Sequence, residues 1–113
     1  MHDLTYANRI LDGLKREMGR RDKSTPANID AYLSPLGHVT PQRLKEVFDM
    51  VSKEEGFTNV ALNVHVAEFS ARCRQCGHRW KSSLPTFECP KCGLADFGLE
   101  KYEEFYIGSI RVE

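Results

Sequence analysis

The chain has 113 residues, 41% of them hydrophobic and 28% charged, and 16 Lys+Arg balance 16 Asp+Glu to give no formal net charge at pH 7. That length suits one domain, or one core with a small appended module, and a neutral total does not suit a protein built to coat nucleic acid. No apolar run approaches the roughly 20 residues that span a bilayer, and Asp3, Asn8, Arg9 and Asp12 interrupt any secretory h-region, so the cytoplasm is the expected compartment.

From Leu4 to Met18 the positions Leu4, Ala7, Leu11, Leu14 and Met18 follow the three-then-four spacing of one helix face, widened by Ile10. Asp3 is a candidate N-cap for that helix, and its charge suits the positive end of the dipole. GRRDKSTPAN, from Gly19 to Asn28, reads as a loop, and Ile29 to Leu33 as a short strand. Pro35 removes a ladder donor, so this strand must lie at an edge or finish before Ser34. Thr40-Pro41 reads as an N-cap followed by proline at the first helical position. Leu44, Val47, Phe48 and Val51 continue it as a second amphipathic helix that ends near Gly56. From Val60, VALNVHVAEFSA alternates, with Val60, Leu62, Val64 and Val66 on one covered face. The closing EEFYIGSIRVE favours a strand again, with a bulge expected at Gly108.

Strand, helix and strand in that order between Ile29 and Ala71 imply a right-handed parallel crossover. The expected fold is therefore α+β: a small mixed three-stranded sheet covered by two helices, with a four-cysteine module inserted at one end. Residues 72–94 form that module, and 1–71 with 95–113 form the α/β unit.

The module holds Cys73, Cys76, Cys89 and Cys92, in CRQC and CPKC separated by the twelve residues from Gly77 to Glu88. In a reducing compartment, paired cysteines are metal ligands more often than disulfides. Glycine follows each pair and permits the turn that aims amide N–H groups at the sulfurs. Four thiolates suit tetrahedral zinc with no open position, which makes the site structural. The gap is slightly shorter than the commonest zinc spacings, and it differs from those of iron–sulfur sites.

The first three residues also carry chemistry. The free amine of Met1, the amide nitrogen of His2 and its imidazole can close adjacent chelate rings on one metal. The amide or carboxylate of Asp3 can add a further donor. Nitrogen-rich planar donor sets favour Ni(II) or Cu(II) over zinc. Histidine at position 2 is bulky enough to keep Met1 from being removed. On these residues alone, a frayed histidine and a capping aspartate explain the same letters.

His38, His65 and His78 are candidates for further nickel ligands, but each reads first as ordinary surface. His65 lies opposite the covered strand face, His78 follows the first cysteine pair, and His38 precedes the second helix. Arg72, Arg74, Arg79 and Lys81 with Trp80 would suit single-stranded nucleic acid, but such charges are more often a solvated face, with Trp80 over a small core. Glu54, Glu55, Glu103 and Glu104 read as solvent-facing. There is no phosphate loop, no nucleophile–base motif and no metal site with an open position, so catalysis is not expected.

MHD opening an amphipathic helix, then VTPQRLKEVFDMVSK, ARCRQCGHRW, ECPKCG and EEFYIGSIRVE, resemble in order and spacing the HypA/HybF nickel-insertion accessory proteins. The likeness runs over essentially the whole chain. It implies an α/β nickel-binding domain carrying a zinc domain, and a role in maturing [NiFe]-hydrogenase and, in some bacteria, urease. The implied nickel residues are Met1, His2 and Asp3, and the implied zinc ligands are Cys73, Cys76, Cys89 and Cys92. The implied partners are the GTPase HypB and the hydrogenase large subunit, with neither membrane nor nucleic acid among them. Two departures stand out: the family's third residue is usually Glu, and IDAYLSPLGHVTP lacks the usual glycine-containing strand end. The competing reading is a zinc-ribbon module that binds nucleic acid or a protein and whose MHD start is incidental.

Overall fold

The computed structural model describes residues 2–84, 88–100 and 102–113. Helix α1 (His2–Met18) buries Tyr6, Ala7, Ile10, Leu11, Leu14 and Met18. The buried stripe starts at Tyr6 rather than Leu4, which is 44% exposed, because the Tyr6 ring packs on Phe105. Asp3 lies inside the first turn, since α1 already begins at His2, so it is not the N-cap.

Strand β1 (Ala27–Leu33) starts two residues before Ile29 and stops before Ser34, as the missing donor of Pro35 requires. It is nonetheless the central strand of its sheet. Helix α2 (Pro41–Glu54) is capped by Thr40, whose hydroxyl accepts from the Arg43 N–H at 3.2 Å. It buries Leu44, Val47 and Phe48. Gly56, at φ +89°, turns the chain out of the helix into β2 (Val60–Val66).

The alternating stretch from Val60 is two strands, not one. It breaks at Ala67 and Glu68, and β3 (Phe69–Cys73) joins a second sheet with β4 (Arg79–Ser82) and β5 (Phe97–Glu100). That sheet, in the order β4-β3-β5, extends on both sides of residues 72–94. The chain returns to the first sheet through β6 (Phe105–Val112).

The first sheet has the order β2-β1-β6, with β1 parallel to β2 and antiparallel to β6. The α+β arrangement of a mixed three-stranded sheet and two helices is thus present, with a second small sheet around the cysteines. The β1–β6 register slips between Asp30 and Ala31, which leaves Gly108 as the bulged residue. A Cβ on Gly108 would lie 2.5 Å from the Tyr32 ring, so this crossing needs glycine.

The helices lie side by side in the same direction. Asp3 meets Arg43 at their starts, and Lys15 meets Glu55 at their ends. Together with one face of the first sheet they enclose the main core, built around Phe48, Ile10, Leu14, Ile29, Leu33 and Leu44. The radius of gyration is 17.3 Å, against about 13 Å for one compact body of this length. The excess fits two sheets with separate cores. Among the described residues no helix is long and apolar enough to cross a membrane.

Candidate metal centres

The two cysteine pairs close matching turns. After the first, the Gly77 N–H donates to the Cys73 carbonyl (3.0 Å) and the Cys73 N–H to the His78 carbonyl (2.8 Å). After the second, the Gly93 N–H donates to the Cys89 carbonyl (2.8 Å) and the Cys89 N–H to the Leu94 carbonyl (2.9 Å). Gly77 and Gly93 share φ +77°, a conformation that a side chain would strain.

These turns bring the four sulfurs within 4.8 Å of one another, and no disulfide joins them. Cys73 Sγ lies 3.6 Å from Cys92 Sγ, and Cys76 Sγ 3.6 Å from Cys89 Sγ. A zinc tetrahedron with Zn–S of about 2.3 Å has S···S edges of about 3.8 Å, so the donor set fits that ion. Among the described residues these four form the one cluster of His, Cys, Asp or Glu able to share a metal.

Backbone N–H groups, that of Cys76 before that of Gln75, pull the Cys73 thiol down to about 6. Burial raises the Cys89 thiol, but the N–H groups of Cys92 and Lys91 outweigh it and its net direction is down. Cys92 accepts from the Leu94 N–H, yet burial and the three neighbouring thiols push it up to about 12. Several thiols crowded together cannot all ionise without a cation to share, so this donor set suits a metal cation.

At the amino terminus, His2 occupies the first turn of α1 and is exposed, its ring 6.1 Å from that of Tyr6. Its N–H and that of Asp3 belong to the first four of the helix, which have no carbonyl to bond within it. Asp3 carries a side chain that is 20% exposed. Its Oδ1 accepts from the Leu4 N–H (2.9 Å) and its Oδ2 from Arg43 Nε (3.0 Å). Arg43 first, then the Leu4 N–H, hold this carboxyl below its ordinary 3.8. Met1 lies outside the described residues.

Among the described residues, none of the other histidines joins the four cysteines in a cluster able to share a metal. His65 Nε2 lies 3.0 Å from Asp30 Oδ1, whose Oδ2 accepts from Ser109 (3.1 Å) and Arg111 (3.3 Å). His38 is exposed in the loop before α2, and His78 stacks at 6.1 Å on Trp80, which also meets Phe97 edge-on at 5.5 Å. Trp80 therefore covers the small core of the second sheet. Two of the basic residues around it are paired, Arg74 with Asp96 (2.9 Å) and Arg79 with Glu100 (3.4 Å). Glu104 is not simply solvent-facing: it is half-buried beside Tyr6, and its carbonyl accepts from the Ser34 N–H. Arg43 escaped the reading of the sequence, although a cation three residues after the capping Thr40 breaks the helix-dipole rule and could have drawn attention to it.

A family model described as "Hydrogenase/urease nickel incorporation, metallochaperone, hypA" matches residues 1–112. Curated relatives named hydrogenase maturation factor HypA include one from Caldanaerobacter subterraneus, 28% identical over 114 residues and all of both chains. Another, from Methanocaldococcus jannaschii, is 27% identical over 122 residues, covering all of this chain and 98% of its own. The solution structure of the nickel metallochaperone HypA from Helicobacter pylori superposes with a TM-score of 0.60 at 11% identity, over 97% of this chain and 96% of that one. A further HypA solution structure gives 0.65 at 15% identity, over 100% and 97%. Those two likenesses speak for the fold, and the family model carries the assignment: the chain belongs to the HypA family of hydrogenase maturation metallochaperones.

Proposed function

We propose that this chain binds Ni(II) at its amino terminus, through Met1, His2 and Asp3, and delivers it to the large subunit of a [NiFe]-hydrogenase. The GTPase HypB is the proposed working partner, the cytoplasm the proposed compartment, and urease a second recipient within the family's range. Zn(II) held by Cys73, Cys76, Cys89 and Cys92 is structural, the chain carries its cargo without catalysing a reaction, and the zinc unit is separate from the α/β nickel unit.

The observation that carries this reading is the placement of His2 at the exposed start of α1. Amides at a helix start can lose a proton to a metal without breaking an i to i−4 hydrogen bond. The anionic nitrogen then sits at the positive end of the helix dipole. The pairing of Arg74 and Arg79 with acids weighs against the zinc-ribbon nucleic-acid reading.

The test is calorimetric titration of Ni(II) into the intact, untagged, zinc-loaded protein, wild type and His2→Ala. The expected result is one site of about micromolar affinity, near −8 kcal/mol, that disappears in the variant while zinc and helix content stay. Equal binding by both proteins, or none by either, overturns the reading.

A further inference from the structure

Arg43 stands where helix electrostatics disfavour it. It is the third residue after the capping Thr40, in a first turn with no acidic residue, so its charge faces the positive end of α2. The position suits glutamate or glutamine, which can reach back to the cap. Its guanidinium instead crosses to α1 and donates through Nε to Asp3 Oδ2 at 3.0 Å, with Glu46 Oε2 at 3.8 Å from Nη1.

The consequence for Asp3 is geometric. One oxygen is taken by the Leu4 N–H and the other by Arg43. The first turn of α1 is thereby tied to the first turn of α2, and α2 is itself anchored in the core by Leu44, whose side chain is fully buried. A residue that breaks a local rule in order to make a cross-helix bond is where function is to be looked for.

We propose that Arg43 is a positioning residue for the nickel site: it holds the Asp3 carboxylate away from the metal and pins the start of α1, so that Asp3 is an anchor and not a carboxylate ligand. This rests on the reading of the amino terminus as the nickel site. Pinning lowers the ordering cost when the first residues close around the ion. A metal bound by nitrogen donors without a carboxylate arm also keeps one side open to an incoming ligand from the recipient.

The experiment compares zinc-loaded wild type with Asp3→Asn, Arg43→Gln, Arg43→Lys, the Asp3→Asn/Arg43→Gln double variant and His2→Ala. It reads Ni(II) affinity by calorimetry and the energy of the Ni(II) d–d absorption band. Helix ellipticity and thermal midpoint check that each protein is folded. Asp3→Asn and Arg43→Gln should each weaken binding by about two- to five-fold, the range open to an exposed ion pair. The double variant should be no weaker than either single one, Arg43→Lys should recover part of the loss, and the band should not move. A shifted band in Asp3→Asn would make the carboxylate a ligand and overturn the proposal. Unchanged or tighter binding by Arg43→Gln, or losses that simply add in the double variant, would overturn it too. His2→Ala separates the two levels: if it binds nickel as wild type does, the nickel site itself is misplaced, whereas its loss beside an unaffected Arg43→Gln removes only the role of Arg43.

Discussion

Tyr6 on α1 and Phe105 at the start of β6 stack face to face, their centroids 4.4 Å apart and their planes 9° from parallel. Both are 6% exposed, and the Arg9 guanidinium lies 4.9 Å from the Phe105 ring centre. Burial, then the nearby Glu104 carboxylate, raises the Tyr6 phenol above its usual range. The stack joins the helix that begins with His2 to the strand by which the chain returns from the cysteine unit. Phe105→Ala should therefore cost about 3–5 kcal/mol of stability, as buried phenylalanine truncations do. Urea unfolding followed by helix ellipticity measures this, and an unchanged midpoint would show the stack to be dispensable. Zinc content should stay the same.

Removal of the four-thiolate metal should undo one sheet and spare the other. The cysteine unit buries only Phe69, Ala71, Cys73 and Cys89 among its described residues, too little to hold β3, β4 and β5 unaided. After chelation at neutral pH, amides from 69 to 100 should exchange fast while those of α1, α2 and β1 stay protected. Persistent protection of β3 without metal would contradict this.

Acid should release the same metal. A thiol drawn down to about 6, as Cys73 is, is a thiolate above that value and is protonated below it. Protons then compete with the ion, so retention rises with pH and falls away on acidification. A chromophoric chelator followed from about pH 8 to pH 4 should report progressive loss of zinc as the pH falls. Retention at the acid end would show that the thiolates are not the ligands.

A second pH effect belongs to the α/β unit. The His65 hydrogen bond, then that of Ser109, with the charge of Arg111 assisting, hold the Asp30 carboxyl below its ordinary 3.8. A carboxyl lowered on folding contributes stability in full above 3.8 and loses it as the pH falls through the lower folded value. Asp30→Asn should flatten the acid limb of the urea midpoint against pH, read from helix ellipticity so that metal loss from the other unit does not intrude. Parallel acid limbs in the two proteins would remove Asp30 from the explanation.

Nucleic-acid binding should be absent at physiological salt. Arg74 and Arg79 already face Asp96 and Glu100, and the whole chain is neutral. Oligonucleotide titration followed by Trp80 fluorescence should give no saturable change. A salt-dependent quench would bring back the zinc-ribbon alternative.

Much of this architecture is written locally. Thr40-Pro41, the stripe from Leu44 to Val51, the bulge at Gly108 and the glycines after both cysteine pairs each follow from one residue's stereochemistry or a short periodicity. The second sheet is not written that way. Its strand β5 pairs with β3 across more than twenty residues, and neither FGLE nor RWKS is long enough to show an alternation. One clue was present. In β2 the even positions face the core, Leu62 buried and Val60 and Val64 packed beside it, whereas β3 buries odd ones, Phe69, Ala71 and Cys73. That change of phase marks the break at Ala67 and Glu68. The Asp3–Arg43 bond was hidden for another reason: forty residues separate its ends, and only the parallel alignment of α1 and α2 brings them together.

Leu33 stands between Val66 on one side and Phe105 on the other. The chain leaves the first sheet beside this residue and re-enters it beside the same residue, two strand spacings away, or about 10 Å. Three or four extended residues cover that distance. The whole segment between them is thus hung from one end of the first sheet, entered and left on either side of the tip of β1.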